Sequence, residues 1–363
     1  MSGGKVTQHF HGQNSTLSAS NPPKESTVSE PGLSETPQKT WSQRKILTTY
    51  VSIRTTDKWA VSRGCIVEDR IYMYCNTHPS ILEGSLLEFF VLDIADPLMT
   101  AMFEISEEQV IRNAFPPLPP PNDSVRHGMQ PYYNIKSLDC LRDVLSSNET
   151  CRRDATSSWI RLAHDSFYRR LCCRDNKKLF HISLLSLVYE LLDTIDSIDT
   201  IVPPPRPSID NVWPELDHII QVDDVGGTAI GAIEVSHRFQ PNLLGGSRAL
   251  RLKLRDMLIH IHGIVGARAA HRVQTVGIIV TGRQVQIVRC WARRPGGVVL
   301  LQPSDVQEFP ERFQHIVALQ YMVKYVIMGT QVLRDVSNVL MESQMGHREA
   351  RFFEVDGVES GLE

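Results

Sequence analysis

PELDHIIQVDD (Pro214–Asp224), a Gly226-Gly227 pair and AIGAIEVSHRF (Ala229–Phe239) are the stretch whose reading decides the fold. Apolar and β-branched residues fill both arms, and the glycines permit a positive φ, so the spacing predicts a hairpin. GGSRALRLKLRDMLIHIHG (Gly245–Gly263) follows, with Leu250, Leu254, Met257, Leu258 and Ile261 on one side at helical spacing. VQTVGIIVTG (Val273–Gly282) and RQVQIVRCWARR (Arg283–Arg294) then read as an apolar pair of strands. Hairpin, helix and strand pair in succession predict an α/β (α+β) chain with a mixed sheet flanked by helices.

Strict alternation along the first arm puts Asp217, Ile219, Gln221 and Asp223 on one face. On the returning arm Glu234 stands inside the apolar run Ile-Glu-Val. An ionised carboxylate there needs a cation, an arginine or a metal ion beside it. Two acids converging from adjacent strands make a Mg²⁺ site of the kind used in phosphodiester cleavage, so Glu234 with Asp217 or Asp223 is the candidate pair. Glu190, which interrupts the apolar helix pattern FHISLLSLVYELLDTIDSI (Phe180–Ile198), is a weaker candidate inner acid.

Charge is segregated along the chain. Gly245–Pro295 holds ten basic residues and one acid, whereas Val298 to the end holds five basic residues and ten acids. The net charge of −3 excludes a globally basic nucleic-acid binder but leaves room for one anion-facing surface. Arg248, Arg251 and Arg255 gather on one side of the basic helix, either as a phosphate-tracking face or as ion-pair partners for the acidic remainder.

An acid in a short strand, a turn, and then a Glu-x-x motif closing the next strand ahead of a helix resembles the PD-(D/E)XK restriction-endonuclease-like superfamily. The matching pieces are Pro214–Asp217, or Asp223-Asp224, and Glu234-Val235-Ser236. The resemblance implies an αβββαβ core, a Mg²⁺ ion held by Glu234 and an Asp, and a DNA or RNA substrate. Ser236 occupies the position of the family's lysine, and it cannot neutralise a developing oxyanion as an ammonium does. Arg238 returns to the Glu234 face if the strand extends that far, and a guanidinium clamps phosphate more readily than it activates water. VGIIVTGR (Val276–Arg283), VQIVRCW (Val285–Trp291) and Pro295–Gly297 also resemble the amino-terminal accessory region of fungal-type protein kinases. That likeness places Arg283, a further candidate phosphate contact, in a strand–turn–strand and implies a non-catalytic interaction module meeting an acidic protein partner. No glycine-rich loop with V-A-x-K, H-R-D or D-F-G is present.

The remaining sequence bounds the organisation. Residues 1–44 have few large aliphatics and read as a disordered tail, and 45–122 as a small ordered region ending in the stiff run FPPLPPPN. Residues 123–335 hold the helical region and the core, and 336–363 read as a flexible acidic tail. ILTTYVSI (Ile46–Ile53) and RIYMYC (Arg70–Cys75) carry β-favouring residues and are expected as strands. Ser137–Ser147, Ser157–Cys173 and Leu179–Ile195 are expected as helices, as is Phe309–Leu333. Seven cysteines without CxxC spacing read as reduced thiols, and no apolar run reaches the roughly 18 residues that cross a bilayer. The expected setting is intracellular, cytoplasmic or nuclear, away from membranes.

Overall fold

Apolar residues four apart, more than β propensity, govern the first elements. The structure is a computed structural model that describes residues 41–82, 85–147, 154–172, 184–195, 197–201, 218–236 and 247–356. The expected tail, save its last four residues, and most of the second proline-rich segment lie outside them. ILTTYVSI is not a strand but part of helix α1 (Trp41–Ser52), which buries Ile46. RIYMYC likewise lies in α2 (Val67–Thr77), where Val67, Ile71 and Cys75 recur every four residues and are fully buried. The strands β1 (Ala60–Ser62) and β2 (Cys65–Ile66) form a small separate antiparallel pair.

After α3 (Pro79–Leu82), the apolar run broken by Pro97 divides into a 3-10 turn (Leu86–Phe89), β3 (Val91–Asp93) and α4 (Leu98–Met102). α5 (Ile105–Ala114) leads into the proline run, which lies on the protein's own sheet. There Phe115 packs on Trp291 with ring centroids 6.2 Å apart, and the Pro116 carbonyl accepts from Arg289 Nη1 at 2.9 Å. Next come α6 (Asp123–Met129) and the three expected helices, α7 (Leu138–Ser146), α8 (Ala155–Cys172) and α9 (Leu184–Leu192).

The core sequence forms as the hairpin pattern requires. β4 (Ile198–Ile201), β5 (His218–Val222) and β6 (Thr228–Ser236) run antiparallel, and α10 (Arg248–Ala269) carries the chain over to β7 (Thr275–Thr281), parallel to β6. β8 (Gln284–Ala292), β9 (Val299–Pro303) and the short β10 (Gln307–Glu308) follow, then α11 (Ile316–Asp356). The main sheet is mixed and has eight strands in the order β3-β9-β8-β7-β6-β5-β4, with β10 beside β8. β3 joins the edge by parallel pairing to β9, so the expected amino-terminal region is fused to the sheet instead of standing apart.

α10 and α11 cover opposite faces. A Cβ on Gly277 would meet Leu254 and Leu250 of α10, whereas one on Gly231 would meet Leu333 of α11. Ala232 pairs with Gly277 across parallel strands, so Ala232 and the adjacent Gly231 point to opposite sides. β7 is buried on both faces from Thr275 to Val280. α11 is long and apolar enough to span a membrane, yet many of its apolar residues, among them Leu319, Val323, Leu333 and Leu340, are fully buried in the core.

Candidate functional site

Glu234 is held at the last turn of the parallel pair. It lies near the end of β6, opposite Ile279 of β7, on the face covered by α10. Its Oε2 accepts a hydrogen bond from the Ser247 amide at 3.0 Å, and the Ser247 hydroxyl in turn accepts from the Leu250 amide at 3.1 Å. Glu234 thus meets the positive end of α10, which runs unbroken to a kink at Gly266 and stabilises a carboxylate. The I-E-V run therefore obtains its compensating partner from a helix terminus.

The other acids read from the sequence do not converge on it. Asp223 sits in the turn after β5, where its Oδ1 accepts from the Gln221 side-chain amide at 3.1 Å. That turn lies at the Thr228 end of β6, six residues from Glu234 and roughly 20 Å away at strand rise. Asp223 is therefore no partner of Glu234; the alternation argument placed it on a face but not at an end. The alternation itself breaks at a register shift between Ile220 and Gln221. Glu190 is exposed on α9, whose buried side is made by Leu184, Leu187, Val188, Leu191 and Leu192, so it is not an inner acid. Its neighbour Tyr189 is the residue that reaches the strand, packing edge-on to His218 with centroids 4.9 Å apart. Asp217 and Arg238 lie outside the described residues; the last described β5–β6 pair, His218 opposite Ile233, is one residue short of Asp217 and Glu234. Among the described residues no group of three or more His, Cys, Asp or Glu could hold a metal ion.

The four arginines are engaged with acids of the same chain. Arg248 pairs with Glu88, Arg251 with Asp93 at 3.4 Å, Arg255 with Asp256 at 2.8 Å, and Arg283 with Glu308 at 2.9 Å and also with Glu311. Asp93 is nearly buried, and that burial raises its carboxyl above the usual range despite Arg251. Of the two readings of the basic helix, ion pairing within the chain accounts for these contacts. Glu88 escaped the sequence reading because it lies inside the apolar run Leu86–Leu92, yet it is 1% exposed and its second oxygen has no hydrogen-bond partner among the described residues. An acid flanked by six apolar residues in a seven-residue run is the signal that marks it.

Phe89, next to Glu88, gathers three cations. The Lys45 ammonium lies 3.5 Å from its ring centroid, and the Arg248 and Arg255 guanidinium carbons lie 5.4 and 5.7 Å away. Comparison with protein-family models, with curated proteins and with solved structures finds no match to this chain.

Proposed function

We propose that this chain is an endonuclease-like domain that binds a nucleic-acid backbone at the Glu234 end of its sheet and cleaves it poorly or not at all. The observation that carries the reading is the order α9, β4, β5, β6, α10, β7, a helix, three antiparallel strands, a crossover helix and a parallel strand. Glu234 closes the third strand at the amino end of the crossover helix, where backbone amides and the helix dipole favour anions. Ser236 supplies no ammonium two residues on, which removes the group that would neutralise a phosphoryl oxyanion.

The engaged arginines favour a second reading, a non-catalytic protein-interaction module of the kind that accompanies a kinase. Salt titration separates the two. For the purified chain, affinity for duplex and single-stranded DNA or RNA should fall linearly with the logarithm of salt concentration. Absence of any salt-dependent binding would overturn the nucleic-acid reading in favour of the protein module. Rapid Mg²⁺-dependent cleavage lost on Glu234→Ala would instead overturn the impairment.

A further inference from the structure

The cluster over Phe89 is not needed to explain the sheet, and its charges do not balance. Arg248 and Arg255 each have a carboxylate, Glu88 and Asp256, but the Lys45 ammonium has no hydrogen bond or ion pair among the described residues. It is sandwiched between the rings of Phe89 and Trp41, 4.5 Å from the latter's centroid. Burial, together with Arg248 and Arg255, holds Lys45 below its ordinary value against the opposing pull of Glu88 and Asp256. A third cation is thus crowded against two others without an anion of its own. Trp41 is 69% exposed at the start of α1, a large indole face open to solvent beside this charge. Arg248 directly follows Ser247, whose amide holds Glu234, so the cluster and the Glu234 carboxylate meet at one end of α10.

We infer that Trp41, Lys45, Arg248 and Arg255 form a platform for a single strand of nucleic acid, with a base stacked on Trp41 and a phosphate beside Lys45. An exposed aromatic face next to clustered cations suits a strand that offers a π-face and an anion at each step. The inference rests on the nucleic-acid reading above and specifies the strand type and its contacts.

The test measures anisotropy of a fluorescein-labelled oligothymidylate with the full chain across a salt series. Trp41→Ala, at an exposed position, should weaken binding roughly tenfold or more. Lys45→Met, which keeps the stem on Phe89, should weaken it as well and reduce the logarithmic salt slope by about 0.7. The surface substitution Arg126→Ala on α6 should change neither quantity. Thermal unfolding of Lys45→Met controls for loss of fold. If both cluster variants bind like the parent chain, the platform is wrong while the Glu234-end reading stands. If the parent chain binds neither oligothymidylate nor duplex, both fall. Trp41-dependent sedimentation with phosphatidylserine vesicles in place of oligothymidylate binding would also overturn the platform.

Discussion

Gly231 and Gly329 show how the same missing methyl group matters to different degrees. A Cβ on Gly231 would come within 2.5 Å of the Val276 carbonyl oxygen, a backbone atom of the adjacent strand. That obstacle cannot rotate away, so Gly231→Ala should lower unfolding stability by about 2 kcal/mol, read from urea midpoints. A Cβ on Gly329 would meet Ile287 Cδ1 at 2.2 Å, the free end of a side chain that can change rotamer. There the gain of about 1 kcal/mol in helix propensity opposes the clash, and Gly329→Ala should stay within about 1 kcal/mol of the parent chain. Two buried histidines make a prediction about acid. His164 donates from Nδ1 to the Ile160 carbonyl, 2.8 Å away, and stacks on Tyr132; His262 is bonded to the Ala270 backbone. Burial pushes both down to about 4, and the second ring nitrogen of each has no partner among the described residues. Above the ordinary value of 6.5 both are neutral in folded and unfolded chains alike. As pH falls from about 6.5 to 4 the unfolded chain takes up protons first, so stability should drop by on the order of 3 kcal/mol per histidine. His164→Phe should remove about half of that slope in chemical unfolding followed from pH 7 to 4.

At the scale of elements, buried acids fasten pieces that are distant in sequence. Glu68, fully buried at the start of α2, accepts from the Trp59 amide at 2.8 Å and from the Val298 amide at 3.1 Å. It joins the turn before β1 to the turn before β9, whose Val298 is 230 residues from Glu68. Glu68→Ala leaves two buried N–H groups without acceptors and should cost on the order of 3 kcal/mol, with Glu68→Gln costing less because one carbonyl oxygen remains. Thermal midpoints of the two variants test the order. This scale also shows where sequence reading fails and why. The β propensity of Tyr50, Val51, Tyr72 and Tyr74 suggested strands, but the four-residue recurrence of Val67, Ile71 and Cys75 determined the buried side of α2. Propensity is a weak preference, and burial of an apolar stripe against a neighbouring element overrides it. Hairpin, crossover helix and strand pair were legible because propensity, period and turn chemistry agree there, with Gly226 and Gly227 at φ of 64° and 69°.

For the whole molecule, α11 is the element that closes the core. It was expected to fade into a tail after Leu333, yet it runs to Asp356 and buries Val336, Val339 and Leu340. A chain ending at Asp335 should therefore lose about 5 kcal/mol or more and unfold at markedly lower temperature, measurable by circular dichroism. The two buried clusters explain the extent of the unit. One lies between the sheet, α10 and α11, and the other packs α1 and α2 against Trp291, Val298 and Leu300 from the far strands. Because β8 and β9 contribute to both, the amino-terminal region shares the sheet instead of forming a domain of its own.

Local pattern alone specified the mixed α/β class, the β5–β6 hairpin, the basic crossover helix and an acid at Glu234, since period, turn glycines and charge are written in neighbouring residues. Only the tertiary structure decided which groups meet: it sent Asp223 to the far end of the hairpin, turned Glu190 outward, matched the arginines with Glu88, Asp93 and Glu308, and set Lys45 between Trp41 and Phe89. Those pairings join positions up to 160 residues apart, and contact at that range is fixed by how whole elements pack, which no local periodicity encodes.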